Sequence, residues 1–159
     1  MWKKIAIIVI VLALALFGMT KLKSRWPTAT WGVTCETTPK FEDFGEKVES
    51  GILSKVDVDN NTMARDEMKA EMYSATGSAV NFAGKYVLME KSCGTNCQKH
   101  VVINISDGKL PLFGLQTSHG LSFRPDRRML MTNPTGRNRS VYYEIKNGVL
   151  NYLCEHEKK

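Results

Sequence analysis

At 159 residues the chain is long enough for one domain with one core and too short for two ordinary ones. Its formal charge of +6 is uneven: Met1 to Arg25 carries five basic and no acidic residues, and everything after Arg25 carries 17 basic against 16 acidic. That near balance excludes a blanket electrostatic footprint for a phosphate backbone, so no nucleic-acid partner is expected.

The chain opens with Trp2-Lys3-Lys4 and an uncharged apolar run from Ile5 to Met19. As a helix this run spans about 22 Å against a bilayer core of about 30 Å, which reads as a signal peptide or a short signal anchor over residues 1–25. No Cys follows it to carry a lipid. Lys21, Lys23 and Arg25 flank its far side as Lys3 and Lys4 flank its near side, so charge alone does not orient it. Four cysteines follow, an even number, which favours an oxidising compartment. The expected location is the bacterial periplasm, with the chain anchored to the inner membrane or released. Residues 26–34, with Pro27 and small polar residues, read as a tether, and 35–159 as a single disulfide-stapled domain.

Between Trp31 and Lys55 the apolar spacing is irregular and supports no element. Asn61 or Thr62 can cap a helix whose Ala64, Met68, Met72 and Ala75 form one stripe, ending near Gly77. Beyond it the period changes. Residues 85–90, 100–105, 121–124, 129–132, 141–145 and 149–153 read as strands, with turns at Ser106-Asp107-Gly108-Lys109 and at Asn147-Gly148, the strongest hairpin signal in the chain. The fold class expected is α+β: a membrane segment, then one helix packed on an antiparallel meander of five or six strands.

The strings Asn81-Phe82-Ala83-Gly84-Lys85-Tyr86, Cys93-Gly94-Thr95-Asn96-Cys97-Gln98 and Gly120-Leu121-Ser122-Phe123-Arg124-Pro125-Asp126, in that order, resemble a group of small bacterial secreted proteins. The resemblance covers roughly residues 60 to 153. It implies export and a single domain, and it brings no activity with it.

The natural pairing of the cysteines is Cys93 with Cys97 and Cys35 with Cys154, other pairings remaining open. A loop-shaping disulfide suits the Cys93 to Cys97 hairpin, because Gly94 permits the turn. The alternative is a thiol-redox or copper-handling site on Cys93, Cys97 and His100, since soft thiolates with an imidazole suit copper(I) or zinc. Gln98 and His100, just beyond the loop, are candidate binding residues. Arg124, Arg127, Arg128, Arg137 and Arg139 cluster around two loops, where they either dock an acidic or anionic envelope partner or pair with the acidic Glu42 to Glu49 and Asp57 to Glu71 region. Ser118 and His119 are adjacent, and adjacent residues usually point apart, so they are not read as nucleophile and base. No paired-carboxylate, P-loop, dinucleotide or zinc-protease signature is present, and no cofactor is expected. The reading is a non-enzymatic binding module of the cell envelope.

Overall fold

A computed structural model describes residues 32–59, 62–135 and 139–157. The apolar leader, most of the tether, the candidate cap Asn61 and Arg137 lie outside the described residues. Among the described residues no helix is long and apolar enough to cross a membrane.

Among the described residues the order is a 3-10 turn (Phe41–Phe44), a helix α1 (Thr62–Ser74) and seven strands: β1 (Tyr86–Gly94), β2 (Cys97–Asn104), β3 (Leu112–Thr117), β4 (Leu121–Phe123), β5 (Met129–Thr132), β6 (Arg139–Lys146) and β7 (Val149–Glu157). The single meander of five or six strands is not what forms. The strands divide into two antiparallel sheets, β1-β2-β3 and β4-β5-β6-β7, so the described domain is mostly β with one helix.

The reason is the composition of the first sheet's two faces. Val87, Val101 and Ile103 point one way and meet Leu53, Val56, Met68, Met72 and Ala75, from α1 and the chain on either side of it. Tyr86, Leu88 and Val102 point the other way and meet Leu130, Val141, Tyr143 and Ile145 of the second sheet. A sheet apolar on both faces must be covered on both. The helix alone would leave the Tyr86, Leu88 and Val102 face in water. The outer face of the second sheet is closed in turn by the segment around Cys35, Phe41 and Phe44, which packs on Met129, Tyr142 and Cys154.

α1 has its expected stripe in Met68 and Met72, both fully buried. It is kinked at Met68 (φ −131°, ψ 23°), and there the Lys91 ammonium of β1 donates to the main-chain oxygen of Glu67 at 2.8 Å. A side chain reaching into the carbonyl ladder is a recognised cause of such kinks. Glu71 and Glu67 hold the same face of the helix to Lys91 and Lys99.

Strand β3 has no clean signal in the sequence because Gly114 interrupts its alternation. Gly114 (φ +86°) is an extra residue between the pairs His100 with Leu115 and Val101 with Phe113, which makes it a bulge on an edge strand. The other edges are managed too. On β1, Asn81 accepts from Leu88 N–H at 2.7 Å and donates to Leu88 C=O at 3.0 Å, so its carboxamide stands in for a neighbouring strand. β4 is three residues long. On β7, Cys35 N–H donates to Glu155 C=O and Glu155 N–H to Val33 C=O, so residues assigned to the tether are hydrogen-bonded into the fold. The β6–β7 turn is the expected one: Asn147 and Gly148 both have positive φ, and Lys146 faces Val149.

Candidate functional site

The first and third motif strings, far apart in sequence, meet at one corner. Ala83 and Gly84 donate their N–H groups to the carbonyls of Arg124 and Pro125, while Phe82 and Phe123 stack edge to face at 5.9 Å. The N-terminal segment crosses the same point, Glu49 N–H donating to Gly84 C=O and Glu46 N–H to Asp126 C=O. The crossing leaves no room for a side chain at Gly84, whose Cβ would lie 2.4 Å from the Lys47 carbonyl oxygen. Ala83, buried, is held at φ +45°, a conformation that costs an L-residue about 1–3 kcal/mol.

Beside this crossing two cavities lie side by side along the seam between the two sheets, and the surface they share is called the groove here. One cavity, about 240 Å³, is bounded by Glu46, Glu49, Gly84 and Arg128. The other, about 510 Å³, is bounded by Asn104, Asp107, Lys109, Leu110 and Pro111. Lys85, Tyr86 and Asn147 line both. The first-strand run that begins at Lys85 and the Asn147-Gly148 turn thus supply the centre of the site, and the β2–β3 turn supplies one wall.

The groove's charges are mixed. Arg128 is engaged by Glu144 at 3.0 Å and Glu46 at 3.3 Å. Lys85 has no carboxylate partner among the described residues, and its ammonium sits 5.8 Å from the centre of the Tyr86 ring. Burial, then the negative charges of Asp107, Glu46 and Glu49, hold the Tyr86 phenol above its ordinary range, partly offset by the nearby Gly148 backbone. The phenol is therefore neutral and keeps its own proton to donate.

Of the arginines singled out in the sequence, the four among the described residues are each beside an acid. Arg124 meets Glu42 at 3.0 Å and lies over the Phe41 ring; Arg127 meets Asp126 at 2.6 Å; Arg139 meets Glu155 at 2.9 Å. A hydrogen bond from its own backbone, and then the Arg124 contact, hold the Glu42 carboxyl below its usual range. Two of these pairs, through Glu42 and Glu46, join the basic loop to the acidic N-terminal region.

The cysteines are joined Cys35 to Cys154 and Cys93 to Cys97. The alternative set of Cys93, Cys97 and His100 is not assembled as metal ligands: both sulfurs are in the disulfide, and three residues along a strand put Cys97 and His100 on opposite faces. His100 is fully buried on the inner face, its Nε2 2.8 Å from Thr117 Oγ1 and its Nδ1 4.0 Å from Glu90 Oε1. Burial pushes its pKa from 6.5 down to about 4. Hydroxyl, imidazole and carboxylate thus lie in a row, a juxtaposition the sequence does not reveal because three strands contribute it. Thr117 is itself buried, so the row presents no nucleophile to solvent. Gln98, two residues before His100 on the same face, has a buried Oε1 without a hydrogen-bond partner among the described residues, as has His100 Nδ1.

Ser118 and His119 do meet, Oγ to Nδ1 at 2.9 Å, contrary to the expectation for neighbours. Asn133 Oδ1 accepts from both of their backbone N–H groups and so folds the loop around itself.

Comparison with protein-family models, with curated proteins and with solved structures finds no match to this chain.

Proposed function

We propose that the domain is a non-enzymatic binding module of the bacterial cell envelope and that its recognition site is the groove around Lys85, Tyr86 and Asn147. One observation carries the reading: a buried phenol and a lysine, both with donors to spare, open into a cavity of about 510 Å³, within the roughly 300–1,000 Å³ typical of ligand sites. The strained backbone at Ala83, beside the first cavity, adds support, since such strain concentrates at functional sites. The two disulfides are compatible with an oxidising compartment, and the apolar leader fits export.

The test is retention of an envelope component by the full-length chain held in detergent and immobilised. Lys85→Glu with Lys109→Glu is expected to abolish retention while the melting temperature is kept. Arg124→Ala with Arg127→Ala is expected to leave it intact. Loss of retention in the arginine pair alone would transfer the site to the Arg124 edge.

A further inference from the structure

We infer that the Tyr86 groove takes a small zwitterion, an α-amino acid or dipeptide with free amino and carboxylate ends. The inference rests on the reading of the groove as the recognition site and specifies what is recognised there.

Charge decides the class. A simple anion would meet Lys85 but also the carboxylates of Glu49 and Asp107 on either side, whose field already disfavours a negative charge on the Tyr86 oxygen. A simple cation would meet those acids but also Lys85 and Lys109. A ligand carrying both charges satisfies both sets, its carboxylate on the Lys85 ammonium and the Tyr86 O–H, its ammonium on the acids. Glu49 has no ion pair among the described residues, and Asp107 has only Lys109 at 3.7 Å, both side chains well exposed. By contrast, Arg128 and Glu46 hold each other and are left to shape the wall. The Tyr86 ring with Leu110 and Pro111 supplies an apolar surface, enough for the short side chains of an amino acid or dipeptide.

The experiment is calorimetric titration of the full-length chain in detergent with glycine, alanine, glutamate, lysine and Ala-Ala, then with N-acetyl-Ala-Ala and Ala-Ala amide. At least one free zwitterion is expected to bind at a single site, and each cap to weaken it by roughly tenfold or more. Lys85→Met keeps the apolar stem; it is expected to weaken Ala-Ala strongly and Ala-Ala amide hardly at all, since both changes remove one contact. Tyr86→Phe, which leaves the packing in place, is expected to act in the same direction. Glu49→Gln tests the other end in the same way against the acetylated peptide. Absence of binding by the whole panel at millimolar concentration, or binding indifferent to both caps, overturns the inference. If Lys85→Glu with Lys109→Glu still abolishes retention of an envelope component while no zwitterion binds, the groove stands as the recognition site and only the ligand class falls.

Discussion

The two disulfides hold two unlike regions. Cys35 to Cys154 ties the first described segment to the last strand across 119 residues, with Cys154 buried over the second sheet. Cys93 to Cys97 spans four residues at the exposed tip of the β1–β2 hairpin, where Cys93 is the bulged residue between the Ser92 and Gly94 pairs. The first restrains nearly the whole unfolded domain and secures a layer with little regular structure of its own. The second restrains a turn that already has Gly94 and Asn96 at positive φ. The difference teaches where each region's order originates: the outer layer depends on a long covalent closure, and the hairpin on strand pairing and on the side chains at its base.

The largest expected effect follows from loop length. In the chain-entropy account, opening the Cys35 to Cys154 closure with paired Ser substitutions costs about 5 kcal/mol, read as a lowered urea midpoint, with proteolysis first between Val33 and Phe44. An unchanged midpoint would mean that packing of Phe41 and Phe44 on Met129 and Tyr142 is sufficient by itself.

Next comes His100, at the base of the hairpin. Its imidazole titrates near 6.5 when unfolded and about 4 when folded, so the folded state binds fewer protons between those values. Its contribution is complete above about pH 6.5 and is lost as the pH falls through about 4, a change on the order of 3 kcal/mol. Glu90, 4.0 Å from its free nitrogen, is the charged group nearest the ring and limits the loss. Urea titrations at pH 7 and pH 4, compared between the chain and His100→Gln, isolate the effect as a change in the difference between the two proteins. A difference independent of pH would place the ring in water.

Opening Cys93 to Cys97 by paired Ser substitutions is expected to cost about 2 kcal/mol at most, and hydrogen exchange is expected to rise at the tip while remaining slow at Val101 to Ile103. Equal losses from the two disulfides would break the comparison. The smallest effect is at Arg124→Ala: the Arg124 to Glu42 pair is exposed and screened, so the melting temperature is expected to stay unchanged in moderate salt.

Much of the local structure was legible because local chemistry decides it. Asn147-Gly148 announced its hairpin, and the spacing of Ala64, Met68, Met72 and Ala75 announced a helix whose buried Met68 and Met72 are found in α1, since turn dihedrals and helical period depend on a few neighbouring residues. The strand runs from 85, 100, 129, 141 and 149 were readable for the same reason. β3 was not, because Gly114 breaks its alternation. The groove was not either: in the sequence Lys85 and Tyr86 stand only as the end of a motif string and the start of a strand, Asn147 only as a turn, and Asp107 and Lys109 only as another turn.

By itself the sequence determined the apolar leader, the even cysteine count, the helix, the strands other than β3 and the near neutrality of everything after Arg25, all properties of composition or of residues a few positions apart. Only the tertiary structure decided that the strands form two sheets, that Asn81 closes an edge, and that the motif around Ala83 meets the one around Pro125. It alone turned Thr117, His100 and Glu90 into a row and gathered Lys85, Tyr86 and Asn147 into one groove. The physical reason is common to all of these. They depend on which apolar face covers which, and a face that reads as buried in the sequence does not name the surface that buries it.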